Sequence, residues 1–291
     1  MEHVRMHRRR LLIAALLSPA APLHATSPRA PESSPRVVSV GGALTEIVYA
    51  LGAGSLLVGT DTTSVFPEAA RTTPKVGYAR ALSAEGLLSL RPTLVLAGAE
   101  AGPPVVIEQV RAAGVRVVRA EAGHGIDVLA ANVRRVAAAL GRDAEGERLA
   151  AEVRARFDDV QRRLVRSGAA PRVLFVLSHA ANNVQVAGRE TAADALMTAA
   201  GAANAMRGFN GYRPLTAEAV VAAAPQAIVA TTQGVEALGG TARLLAQPGL
   251  ALTQAGRESR IFARDALLLL GGGPRWPEAV AELARFLGTL A

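Results

Sequence analysis

One phrase occurs twice in this chain. The first copy reads Gly77-Tyr78-Ala79-Arg80-Ala81-Leu82-Ser83-Ala84-Glu85, with Pro92 beyond it. The second reads Gly211-Tyr212-Arg213-Pro214-Leu215-Thr216-Ala217-Glu218, with Pro225 beyond it. Leu82, Ser83, Ala84, Glu85 and Pro92 align at a single offset with Leu215, Thr216, Ala217, Glu218 and Pro225, and the gap falls just after the Gly-Tyr pair. Two copies so far apart are too few for a solenoid. They suit two similar lobes that face each other, with a ligand in the cleft between them.

The 291 residues suffice for two such lobes. Half of them are hydrophobic but only 3% are aromatic, so the core must be built from Ala, Val and Leu. Each of the three tyrosines therefore stands out. There is no cysteine, which excludes disulfides, thiolate metal sites and a thiol nucleophile.

The chain opens with basic residues from Arg5 to Arg10, an apolar run from Leu11 to Leu17, and small residues ending at Leu23-His24-Ala25. This layout predicts a secretory signal peptide over residues 1–25, cleaved after Ala25. The run is shorter than the roughly 20 residues that span a bilayer. Arg8-Arg9-Arg10 before Leu11-Leu12 hints at twin-arginine export. With no cysteine to take a lipid, the expected location is the periplasm, without a lipid anchor. The formal net charge of +8 falls once the leader leaves, and the remaining arginines are scattered among acids. Nucleic-acid binding is thus not expected.

Residues 26–35 are Ser- and Pro-rich and read as a flexible leader. Strands are predicted at 36–40, 56–59, 93–97 and 115–118, separated by helices at 84–90, 105–113 and 126–140. This alternation implies an α/β fold with mainly parallel sheets. In residues 143–166 the apolar positions Leu149, Val153, Phe157, Val160 and Leu164 recur every three or four residues. They predict one long amphipathic helix that ends at Ser167-Gly168 and joins the lobes as a strut. The expected layout is a lobe at 36–142, a connecting helix at 143–167 and a second lobe at 168–291. The second lobe should hold a strand at 172–177, a helix at 191–200, a strand at 227–230 and a last helix at 277–287. Gly52-Ala53-Gly54 and Gly271-Gly272-Gly273 lack phosphate-loop companions and read as turns.

Tyr78 is the foremost candidate site residue. A phenolate is a hard anionic donor suited to ferric iron, but its ordinary pKa of about 10 opposes ionisation at neutral pH. Arg80, permanently charged two residues on, would favour the phenolate. His179 follows a buried-strand pattern, and ligands of open α/β sheets gather at strand carboxyl ends. Tyr212 and Arg213 occupy the second copy. Glu85 and Glu218 each begin a predicted helix, where a carboxylate suits the helix dipole and could complete a cap. The alternative is that the two carboxylates key into arginine pockets on a partner. Ser178-His179 lacks a Gly-x-Ser-x-Gly context, so a secreted hydrolase is a remote reading. A metal-binding domain using His124 and His179 would have few histidines to draw on.

From Arg36 to Leu287 the chain resembles the periplasmic haem-binding proteins that feed ABC haem importers. These belong to the helical-backbone, class III substrate-binding proteins that also carry cobalamin and ferric siderophores. The resemblance rests mainly on Val76-Gly77-Tyr78-Ala79-Arg80-Ala81-Leu82-Ser83-Ala84-Glu85-Gly86. It is supported by Leu177-Ser178-His179, by Ala187-Gly188-Arg189 with Thr191-Ala192-Ala193-Asp194-Ala195, and by Gly211-Tyr212-Arg213-Pro214-Leu215. It implies two Rossmann-like lobes joined by one long backbone helix, and no enzymatic activity. It implies ferric haem (protoporphyrin IX) as the transported ligand, Tyr78 as its axial ligand, Arg80 bonded to the phenolate, and His179 as a second ligand. It also implies Glu85 and Glu218 as docking carboxylates for an inner-membrane permease, in a protein that acts as a monomer in iron acquisition. Rim arginines such as Arg213 or Arg275 would pair with the propionates. Cobalamin or a ferric siderophore is the alternative cargo; scarce aromatics speak against cobalamin and Tyr-x-Arg favours haem.

Overall fold

The computed structural model describes residues 35–164, 168–180 and 183–289, apart from the side chain of His179. The expected signal peptide, all but the last residue of the 26–35 leader, and residues 165–167 of the expected strut lie outside these. No described helix is long and apolar enough to cross a membrane.

The first lobe runs β1 (Val37–Val40), α1 (Gly42–Ala50), β2 (Leu57–Thr60), α2 (Glu68–Arg71), α3 (Ala84–Ser89), β3 (Leu94–Ala97), α4 (Pro104–Ala112), β4 (Arg116–Arg119) and α5 (Ile126–Leu140). Its sheet is wholly parallel, in the order β2-β1-β3-β4. β1 and β3 are buried on both faces, as apolar runs such as Val37-Val38-Ser39-Val40 require. Helix α6 (Asp143–Arg163) follows as one uninterrupted element of 21 residues.

The second lobe runs β5 (Arg172–Ala180), β6 (Asn183–Ala187), α7 (Ala192–Ala199), β7 (Ala203–Asn204), β8 (Tyr212–Pro214), α8 (Ala217–Ala223) and β9 (Ala227–Thr231). It continues through α9 (Thr232–Leu238), α10 (Thr241–Leu245), α11 (Gln254–Arg257), β10 (Ile261–Arg264), α12 (Ala266–Leu270) and α13 (Trp276–Leu287). The sheet order is β10-β9-β5-β6-β8, with β7 beside β5. β10, β9 and β5 are parallel, while β6 and β8 add antiparallel pairs. This sheet is therefore mixed, because the chain turns back from β5 into β6 instead of crossing over through a helix.

Each sheet has a core of its own on one face, around Val38, Val95 and Ile107 in the first lobe and around Leu174, Val220 and Ile228 in the second, and a third core joins the lobes. One cluster of buried side chains runs from Val37, Leu44 and Ile47 through Val133 of α5 and Val153 and Val160 of α6 to Phe175, Leu196 and Leu283 in the second lobe. Phe157 of α6 stacks on Trp276 of α13, with ring centroids 5.4 Å apart. Beside this core, Arg275 makes a two-pronged contact with Glu46 of α1: Nε donates to Oε2 at 3.0 Å and Nη2 to Oε1 at 2.6 Å. The Glu46 side chain is only 4% exposed. The Arg275 guanidinium also lies over the Phe66 ring, 3.6 Å from its centroid.

This pair ties the lobes together, and it corrects the expectation that Arg275 is available for a propionate. Burial pushes the Glu46 carboxyl above its usual range, while the bond and charge of Arg275 pull it down. Arg275→Ala leaves the carboxyl buried without its cation, at an expected cost of about 3 kcal/mol. With burial acting alone, native Glu46 holds a proton that the unfolded chain has already released. The deficit relative to wild type should thus be larger at about pH 8 than at about pH 5. Denaturant unfolding of both proteins at the two pH values checks the size and the sign.

Candidate functional site

The loops at the carboxyl ends of β1, β2 and β3 are bonded to one another around Tyr78. A buried polar network sets their shape. Asp61, fully buried after β2, accepts from Gly41 N–H at 2.9 Å, Ser64 Oγ at 2.7 Å and Thr63 Oγ1 at 2.6 Å. Thr45 Oγ1 donates to Ser39 Oγ at 2.9 Å and meets Ser64 Oγ at 2.7 Å. Lys75 Nζ fastens the outer turn by donating to Thr60 Oγ1, Ser64 O and Ala70 O. None of these support residues stands out in the sequence, because each is an isolated polar position whose partners are set by the fold.

The loop bearing Tyr78 is held by backbone bonds on both sides. Thr62 N–H donates to Gly77 O at 3.0 Å and Ala81 N–H to Tyr78 O at 2.9 Å. Gly102 N–H donates to Ala79 O, and Leu82 N–H returns to Gly102 O, both at 3.0 Å. Arg119 Nη2 braces the neighbouring loop by donating to Ala99 O at 2.6 Å and Ala101 O at 3.2 Å. Gly77 sits at φ +100°, a value that a side chain disfavours. The tyrosine backbone is thus fixed while its ring remains 48% exposed, a large aromatic presented to incoming ligand.

Arg80 is on the same loop, and its guanidinium pairs with Glu100 rather than with the Tyr78 phenol. It also faces the second lobe: its positive charge acts on Tyr212, favouring the phenolate there. Tyr212 opens β8, paired to Ala187 of β6. Burial pushes its phenol up, outweighing both its bond with Thr191 at the start of α7 and the charge of Arg80. Tyr212 is therefore a neutral phenol committed to its own lobe, while Tyr78 is the accessible one. Arg213 is exposed and lies over the Phe209 ring at 4.8 Å.

β5 runs on to Ala180, so His179 lies within the last residues of the strand and not after it; its side chain is outside those described. Ser178 is buried, and its hydroxyl donates to Ala180 O at 2.9 Å, so it is no exposed nucleophile. His124 lies elsewhere, lining a cavity of about 1220 Å³ with Phe157, Gln161 and Asp194, and Tyr78 does not line that cavity. No group of three or more metal-binding side chains gathers among the described residues.

Glu85 and Glu218 lie in the first turns of α3 and α8, and both are exposed. The caps are the hydroxyls: Ser83 Oγ accepts from Gly86 N–H at 3.0 Å and Thr216 Oγ1 from Ala219 N–H at 3.3 Å. Both glutamates fall one position short of the capping-box place, so neither completes that reciprocal cap. Neither carboxylate has a hydrogen-bonding or ionic partner among the described residues.

Two α/β lobes joined by one long helix, with an accessible phenol on a braced loop, give the framework of a ligand-binding protein. The periplasmic binding protein family matches residues 37–267. This chain belongs to that family, which binds and carries substrates and is not a family of enzymes. The apo periplasmic heme-binding protein RhuT from Roseiflexus sp. RS-1 is 43% identical with a TM-score of 0.85, over 88% of this chain and 98% of that one. The periplasmic heme-binding protein BhuT in complex with two hemes is 49% identical with a TM-score of 0.83, over 89% and 100%. A periplasmic heme-binding protein from Pseudomonas aeruginosa is 39% identical with a TM-score of 0.81, over 88% and 94%. The ABC transporter substrate-binding lipoprotein YvrC of Bacillus subtilis is 28% identical over 86% of this chain and 78% of its own.

Gly77→Ala tests the hold on Tyr78. An added Cβ would meet only Ala81 O, at 3.9 Å, so the cost comes from the backbone and not from a clash. The expected loss is about 1–2 kcal/mol of stability, read by denaturant titration; an unchanged midpoint would mean the loop does not need this conformation.

Proposed function

We propose that this protein captures ferric haem in the periplasm and delivers it to an inner-membrane ABC permease for iron uptake. The reading is carried by its likeness to haem-binding proteins at 39–49% identity with TM-scores of 0.81–0.85. It is supported by an accessible phenol on a braced cleft loop. Haem is cargo here. Burial of the porphyrin's apolar faces supplies most of the affinity, and Tyr78 supplies an anionic oxygen to the iron.

Arg80 hydrogen-bonds that oxygen in the loaded protein. An exposed ion pair such as Arg80–Glu100 contributes little by itself, so Arg80 exchanges Glu100 for the phenolate when haem covers the loop. His179 is the second ligand, reaching the iron from β5, and Arg213 pairs with a propionate at the rim. Tyr212, held near Arg80, closes the cleft from the other side. Glu85 and Glu218 dock on the permease. The lobe at 36–142, the strut at 143–167 and the lobe at 168–291 act as one body, with little movement on loading. The protein works as a monomer, released by cleavage after Ala25.

Haemin added to the purified protein should give a shifted Soret band. Tyr78→Ala should change that spectrum and weaken binding by an order of magnitude or more, a loss of about 1.4 kcal/mol per tenfold. A spectrum and affinity equal to wild type would contradict the assignment of Tyr78 to the iron. His179→Ala reports on the second ligand: an altered spectrum is expected, and an unaltered one leaves Tyr78 alone on the iron.

A further inference from the structure

Large apolar side chains that reach solvent are few here, and their distribution is not random. Among the described residues the exposed ones are Phe66, Tyr78, Val105, Val221 and Leu252. Phe66 lies under Arg275 and Tyr78 belongs to the cleft loop. The other three all belong to the two glutamate-bearing helices or to the elements packed against them.

In the first lobe α3 and α4 pack together, sharing Leu87, Val106 and Ile107 in one core. Their starts are tied by the bond from Leu82 N–H to Gly102 O. Val105, the second residue of α4, is 60% exposed. In the second lobe α8 packs against the short 3-10 turn Leu250–Leu252, and Val220 and Leu250 share a core. Gly249, at φ +78°, passes so close to α8 that a Cβ would come within 2.7 Å of Ala217 O. Leu252 is turned outward from that turn and is 68% exposed. Val221 is 44% exposed, one helical turn beyond Glu218 on the same face.

The same association thus occurs on both lobes: an unpartnered carboxylate in the first turn of the helix, and an outward apolar side chain on the element beside it. Isolated exposed apolar residues need no explanation. An acid-plus-apolar pairing that recurs on both lobes does. We infer that Val105 and Leu252, with Val221, are apolar anchors of the permease-docking surface, each seated in a hollow beside the basic group that receives Glu85 or Glu218. The occupant is a protein surface presenting two such basic-and-apolar half-sites, because an apolar anchor beside a desolvated ion pair excludes water from it. The inference rests on the docking role given above to the two glutamates.

The test uses the haem-loaded mature protein and its cognate permease with ATPase subunits, reconstituted in nanodiscs, with binding read by surface plasmon resonance. Val105→Asp with Leu252→Asp should weaken the complex by about tenfold or more, and a haem titration on the same samples should be unchanged. The milder pair Val105→Thr with Leu252→Gln should weaken it less. Wild-type affinity in the Asp double variant, alongside weakening by Glu85→Ala with Glu218→Ala, would overturn the apolar anchors and leave the acidic contacts standing. Wild-type affinity in every variant would overturn both.

Discussion

The two lobes are held together by an apolar core that does not stop at the lobe boundary. It passes from the parallel sheet through α5 and α6 into the mixed sheet, and the Phe157–Trp276 stack lies within it. Separating the lobes would expose that core and strand Glu46 without Arg275. On the proposed function, a ligand bound between lobes held in this way would not spend binding energy on closing two domains. Such a scaffold suits a carrier whose flat, rigid cargo is recognised by shape and burial.

Within that frame the duplicated phrase has diverged. Both copies place a tyrosine shortly before a capped helix that bears a glutamate in its first turn, Tyr78 in the loop before α3 and Tyr212 at the start of β8 before α8. The first tyrosine is left accessible and its loop is braced from two sides. The second is drawn into its own lobe, bonded to Thr191, and kept protonated by burial. In the proposed function the first copy holds the iron and the second closes the opposite wall. Arg80 links them, because its charge reaches Tyr212 while it stands two residues from Tyr78.

Much of this was legible in the sequence, and the reasons differ from element to element. The periodicity of Leu149, Val153, Phe157 and Val160 predicts α6, because an amphipathic helix must repeat its apolar face; Leu164, expected as its last apolar position, is instead extended, and the helix ends at Arg163. Val37-Val38-Ser39-Val40 and Leu94-Val95-Leu96-Ala97 are legible for the opposite reason: strands buried on both faces read as continuous apolar runs. β6 and β8 were not foreseen, since Asn183–Ala187 and Tyr212–Pro214 are short and mix polar with apolar residues. The Glu46–Arg275 pair joins positions 229 apart and leaves no local trace. Asp61 and Glu100 were likewise silent, their roles being set by loops that meet only in the folded protein. Among candidate site residues, Tyr78 and Tyr212 were conspicuous through rarity, but only the structure separates the accessible phenol from the buried one.

The central claim concerns one phenol oxygen and one iron. A crystal structure of the ferric-haem complex tests it directly. The account predicts the Tyr78 oxygen bonded to the iron, with the porphyrin between the 77–82 loop and the wall formed by Tyr212 and Arg213. A complex in which the iron takes its ligands from other side chains, with the Tyr78 ring still facing solvent, would contradict it.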